Sequence, residues 1–285
     1  MTTSLKRWTQ LGLGVALAGS TMVACGNPNA PASDADTALT AETPPIVEAE
    51  DGEGEGADGE GEGAGGEGEG GVAIAQAATD PVVFLSALAI TEAHIIAARD
   101  AHALGETDAA AEMFAHPVSE VLFDMQPVFQ QLGVPDFSDQ LTDTSAAIFA
   151  GESPEQIGAR ADGIIAALRS AALRAPATDA SEASVAAGVA VDQIERAADM
   201  YRIALESDAY EPYLDGYGFY KAGEAVFLAS TEAISEQDPR VAAAITDAIA
   251  KLQVAYPTAV RPDALDADLA ALTVAASNAV LAVQN

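Results

Sequence analysis

Cysteine is almost absent from this 285-residue chain: there is one, Cys25. A lone thiol closes no disulfide, forms no redox pair and builds no thiolate metal site. Basic residues are scarce as well, 12 lysines and arginines against 44 acids, for a net charge of −32. The stretch from Thr79 to Asn285 alone carries 31 acids and 10 bases. A field of that sign repels phosphate backbones and anionic lipid headgroups, so nucleic acid is not an expected partner. It suits cationic ligands, and equally a solubility role in salt water. Aromatic residues are few and histidine occurs only three times. Also missing are a Gly-x-Ser-x-Gly elbow, a His-Glu-x-x-His helix and a phosphate-cradling glycine loop, and the chain reads as non-enzymatic.

What is present begins at the N-terminus. Lys6 and Arg7 make a positive start, Leu11 to Ala24 an apolar run shorter than the roughly 20 residues that span a bilayer, and Met22, Val23 and Ala24 lead into Cys25. This arrangement resembles the signal of a bacterial lipoprotein. The resemblance implies removal of residues 1–24 and a diacylglycerol group on Cys25, each buried methylene adding about 0.8 kcal/mol of membrane affinity. Gly26 in place of Asp implies, by the same resemblance, the outer membrane, with the domain facing the periplasm. Residues 25–78 read as a tether. Ten acids lie among glycines and alanines from Glu48 to Glu69, a composition that cannot bury enough apolar area to offset chain entropy. Beyond Cys25 no segment is expected to cross a membrane.

Residues 79–285 read as all-α, an up-and-down antiparallel bundle of about eight helices, plausible as two four-helix halves joined near Pro176. Asp80 with Pro81 opens the first helix, which runs to Leu104 before Gly105; Thr107 opens a second that ends near Leu132 and Gly133. Pro117 and Pro127 interrupt the second and can split it. Ser138 caps a short third, and Ser153 with Pro154 starts a fourth running toward Arg174. A fifth begins at Thr178 or Asp179, a sixth at about Phe219 after a tyrosine-rich connection, a seventh at Asp238 and Pro239, and an eighth between Asp263 and Asp266.

All three histidines, His94, His102 and His116, fall in the first hairpin. Counting outward from the turn near Gly105 sets His94 level with His116 or Pro117. His102 is one side too far, since eight residues of helix rise about 12 Å. Glu112, His116 and Glu120 recur at intervals of four and project from one side. Two imidazoles with one or two carboxylates suit zinc, iron or manganese, and also copper. The plain reading makes His94 a hydrogen-bonded core residue and leaves His116 and Glu120 facing water. The Glu-x-x-His pairs of ferritin-like di-metal sites are absent.

A second cluster gathers Tyr210, Tyr213, Asp215, Tyr217, Tyr220 and Glu224. It reads either as a polar-aromatic pocket or as a rigid connector whose hydroxyls bond to backbone, with Asp215 capping the next helix and Glu224 paired to Arg196 or Arg202.

An all-helical envelope domain with His and Glu on facing helices resembles the imelysin-like iron-uptake proteins. That family carries Gly-x-His-x-x-Glu; here the run is His116, Pro117, Val118, Ser119, Glu120, one residue longer and without the glycine. The resemblance implies His116 and Glu120 as ligands, two four-helix halves, and a metal-uptake protein of the envelope as partner. The expected function is a lipid-anchored protein binding iron, zinc or copper for uptake or handling. The alternative is a metal-free helical interaction module.

Overall fold

The computed structural model describes residues 71–285. Cys25, the signal run and most of the acidic tether therefore lie outside the described residues. Those that are described form helices and no strand: α1 (Ile74–Ala77), α2 (Pro81–Ala103), α3 (Thr107–Pro117), a π-helical turn (Val118–Leu122), α4 (Phe123–Leu132), α5 (Ser138–Phe149), α6 (Pro154–Ala172), α7 (Glu182–Glu206), α8 (Glu211–Gln237), α9 (Pro239–Ala255) and α10 (Leu269–Gln284).

Helix starts follow local chemistry. Asp80 Oδ1 accepts the backbone N–H of Val82 at 2.8 Å, with Pro81 at a position where a missing N–H costs nothing. Ser153 and Gln156 close a reciprocal capping box ahead of α6. Ser181, Asp238 and Asp268 cap α7, α9 and α10 through their side chains. Gly105 and Gly133 end α2 and α4 with positive φ of 89° and 69°, where a side chain would be strained.

Six sequence expectations need correction. Ser181, not Thr178 or Asp179, caps the fifth expected helix. The tether ends before Val72 and Ala77, which are buried in the core. Asp268, rather than residues 263–266, opens the last helix. Phe137, not Ser138, holds the cap position of α5, while Asp136 accepts the Ser138 N–H at 2.9 Å. The tyrosine-rich segment is not a connection: α8 begins at Glu211 and runs through it, so Asp215 lies inside a helix rather than capping one. Finally, α2 is long and apolar enough to cross a membrane by length and composition. Its most apolar stretch is 78% buried within the fold, which explains the composition as that of a core helix covered on nearly all sides.

The bundle organises around α2, which packs against α3, α6, α7 and α8. One set consists of α2, the α3–α4 arm, α5 and α6; the other of α7, α8, α9 and α10, the strongest pairing being α7 with α8. The segment between α6 and α7, containing Pro176, joins them, and one continuous apolar core runs through every helix.

Glycine sets the spacing between α8 and its neighbours. A Cβ at Gly218 would stand 2.4 Å from the Ala93 carbonyl oxygen of α2, and one at Gly216 would stand 1.9 Å from the Tyr256 hydroxyl. Glycine costs about 1 kcal/mol inside a helix, so these two are retained for close approach, not for a turn. Gly218→Ala is therefore expected to lower stability by about 1–3 kcal/mol in denaturant unfolding, despite its better helix propensity. Gly158→Ala, which meets open space in α6, is expected to raise it by up to about 1 kcal/mol.

Candidate metal centre

The site is assembled from three helices. In α2, His94 is buried and its Nδ1 lies 2.8 Å from the carbonyl oxygen of Ile90, one turn earlier. A carbonyl only accepts, so Nδ1 carries the proton and the Nε2 lone pair points into the interior. Burial pushes the His94 imidazole down to about 4, with His116 and Arg196 nearby acting in the same direction and the Ile90 bond opposing. At neutral pH it is an uncharged imidazole with its tautomer already set, the state in which a histidine can bind a metal.

The α2–α3 hairpin brings His116 opposite, with ring centroids 6.3 Å apart and planes at 72°. Pro117 then closes α3, and Glu120 follows inside the π turn, where the Phe123 N–H donates back to the Val118 carbonyl. From α8 come Asp215, whose Oδ1 is 3.6 Å from His94 Nε2, and Glu211, whose Oε1 is 3.9 Å from His116 Nδ1. Glu120 lies between the imidazoles, Oε2 at 3.6 Å from His94 Nε2 and Oε1 at 3.8 Å from His116 Nδ1. Phe219 sets its ring edgewise against His94 at 5.8 Å and closes the inner side.

One ligand atom from each of His94, His116 and Asp215 lies within 4.8 Å of the other two. These three can hold a metal ion at bond lengths of about 2.1 Å after small side-chain adjustments. The site opens in one direction: side-chain exposure rises from 4% at His94 and 16% at Asp215 to 23% at His116, 34% at Glu120 and 46% at Glu211. Burial, then the charges of Glu211 and Glu120, pushes the Asp215 carboxyl well up, and its Oδ1 is buried without a hydrogen-bond partner. An oxygen left so is costly unless a proton or a cation satisfies it.

Among the residues singled out from sequence, His94, His116 and Glu120 come together. Glu112 does not join them: it is exposed and forms no ion pair with either imidazole, although burial and then Glu211 and Asp108 raise its carboxyl against the pull of His116. His102 stays apart, buried near the end of α2 with Nδ1 unpartnered. Asp215 and Glu211 join the histidines without having been expected there; their i,i+4 spacing, with Pro212 directly after Glu211, is the signal the sequence carries.

The tyrosines do not converge on one pocket. Tyr210 donates to the Ala259 carbonyl at 2.5 Å, Tyr213 to that of Thr258 at 2.8 Å, and Tyr217 to Asp100 Oδ2 at 2.7 Å. Tyr220 donates to Glu224 at 3.2 Å. Burial pushes the Tyr213 phenol up to about 12, and those of Tyr210, Tyr217 and Tyr220 up as well, so all four stay protonated donors. Glu224 pairs with Lys221 and not with Arg196 or Arg202, which are engaged with Asp192 and with Asp199 and Glu206. A separate cavity of about 710 Å³ lies among α2, α6, α7 and α8, lined by Leu85, Leu88, Glu92, Leu168, Val185 and Val226, and includes no candidate ligand.

No family model matches the chain, and no curated protein or solved structure matches it.

In the metal-free protein, nitrogen NMR of the imidazoles is expected to show His94 neutral and protonated on Nδ1 from pH 8 down to about pH 5. Folding depresses its affinity for a proton, so the charged form gains population only as pH falls toward about 4. Protonation of His94 near its ordinary value of about 6.5 would contradict the buried arrangement.

Proposed function

We propose that this chain is a metal-binding protein of the cell envelope. It takes a transition-metal ion, iron, zinc or copper, at His94, His116 and Asp215 with Glu120 completing the shell. Lipid on Cys25 anchors it to the outer membrane, and its task is the uptake or handling of that ion in the periplasm. One observation carries the reading: His94 Nε2, its lone pair left free because Nδ1 donates to Ile90, lies 3.6 Å from each of two carboxylate oxygens, beyond hydrogen-bond distance and at the spacing of ligands around a shared cation. The all-helical bundle, with His94, His116 and Glu120 brought together on adjoining elements, is in keeping with the likeness to imelysin-like iron-uptake proteins.

Calorimetry tests the ligand set. Purified protein, stripped with chelator and titrated with Zn²⁺, is expected to bind it, and His116→Ala and Asp215→Asn each to lower affinity by at least about 100-fold. Identical isotherms for wild type and variants, or no binding by wild type, would overturn the reading. Cell fractionation tests the anchor: Cys25→Ser is expected to move the protein from the membrane to the soluble fraction, and retention in the membrane would remove the lipid from the account.

A second reading, a metal-free interaction module, draws on the apolar cavity beside α2. A stoichiometric partner in detergent-solubilised membranes that survives both chelator and His116→Ala would favour it.

A further inference from the structure

The five donors form an alternating row: Asp215, His94, Glu120, His116, Glu211. Successive contacts in that order are 3.6, 3.6, 3.8 and 3.9 Å. Donors around one tetrahedral ion with bonds of about 2.1 Å stand about 3.4 Å apart, so each contact is close to the edge of a coordination polyhedron. Glu120 occupies the middle and turns one oxygen to each imidazole, Oε2 to His94 and Oε1 to His116. The row thus divides into an inner trio of Asp215, His94 and Glu120 Oε2, and an outer trio of Glu120 Oε1, His116 and Glu211.

We propose that the centre holds two divalent first-row metal ions bridged by the Glu120 carboxylate, the inner ion on His94 and Asp215 and the outer on His116 and Glu211. This rests on the metal-binding reading above and divides the ligands that it gives to one ion between two. Carboxylate-bridged pairs sit about 3.5–4 Å apart, a separation that the two oxygens of one carboxylate span. Each ion then receives one imidazole and two carboxylates and keeps open positions for water or an exogenous ligand.

Charge favours the pair. Asp215 and Glu211 make no ion pair with lysine or arginine among the described residues; the side chains facing them are the imidazoles of His94 and His116. With Glu120 bridging, three carboxylates meet the two imidazoles, a formal charge that exceeds what one divalent ion neutralises. A single ion would leave that balance negative in a partly buried place. The helical i,i+4 pairs His116 with Glu120 and Glu211 with Asp215 do here what Glu-x-x-His pairs do in four-helix di-metal proteins, with different spacing.

The test is stoichiometry in the full chain. Stripped protein is loaded with Mn²⁺ and, separately, Zn²⁺, freed of excess metal and assayed for metal per chain. Wild type is expected to hold two ions, with manganese giving the EPR spectrum of a spin-coupled pair. Glu211→Gln is expected to hold one and to show an uncoupled manganese signal, while His94→Ala keeps at most the outer ion. Circular dichroism of each variant checks that the fold is retained. One ion per chain in wild type at saturating metal, with Glu211→Gln unchanged, would overturn the bridged pair and leave the single-ion reading standing. No retained metal in any chain would overturn both.

Discussion

The approach of α8 to α2 at Gly218 is the constraint on which both fold and site depend. The Ala93 carbonyl occupies the space a side chain at position 218 would need, so the two axes come closer than any larger residue permits. Ala93 immediately precedes His94, and Gly218 lies between Asp215 and Phe219. The same contact that lets α8 seal the core therefore sets a carboxylate and an aromatic edge against one imidazole. Tyr256 holds the register from the other side, its hydroxyl bonded to the Ala197 carbonyl at 2.7 Å and seated over Gly216. Packing that links the two helical sets and geometry that groups the donors are thus one feature.

Electrostatics sets this cluster apart from the rest of the molecule. Elsewhere the few cations are spent on nearby acids: Arg160 forks onto Glu152 with two 2.7 Å bonds, Lys221 reaches Glu224, and Arg240 closes on Asp238. Such exposed pairs contribute little to stability, yet they show where acids are neutralised locally. Around His94 the counter-groups are imidazoles, one of them held neutral by burial. A protein that invests so few bases in so acidic a surface leaves its most buried carboxylate, Asp215, to be satisfied by a proton or by an added cation.

Local signals made much of this legible before any coordinates. Asp80 with Pro81, Ser153 with Pro154 and Asp238 with Pro239 each mark a helix start, because a short polar cap followed by a residue lacking N–H matches what the first turn leaves unbonded. Counting residues outward from Gly105 was enough to set His94 opposite His116. The contribution of α8 was not legible. Gly216, Gly218 and the crowd of tyrosines carry the local mark of a turn, and what makes them helical is contact with Ala93 and Tyr256, far away in sequence. Glu211 with Pro212 is a proline-led start like the others, and it puts Glu211 and Asp215 one turn apart on a single face.

Pro117 explains why Glu120 can serve two imidazoles at all. A proline in a helix removes one backbone donor and presses its ring on the carbonyl one turn earlier, and here the chain answers by widening into a π turn directly afterwards. A π turn holds one more residue than an α turn. His116 and Glu120 stand four residues apart across the start of this wide turn, with the carboxylate on the histidine side of the helix. The proline, the wide turn and the carboxylate with one oxygen on each ring are consequently parts of a single local distortion. Helices adopt such turns at a cost in regular hydrogen bonding, and the return on it here is the position of Glu120 between His94 and His116.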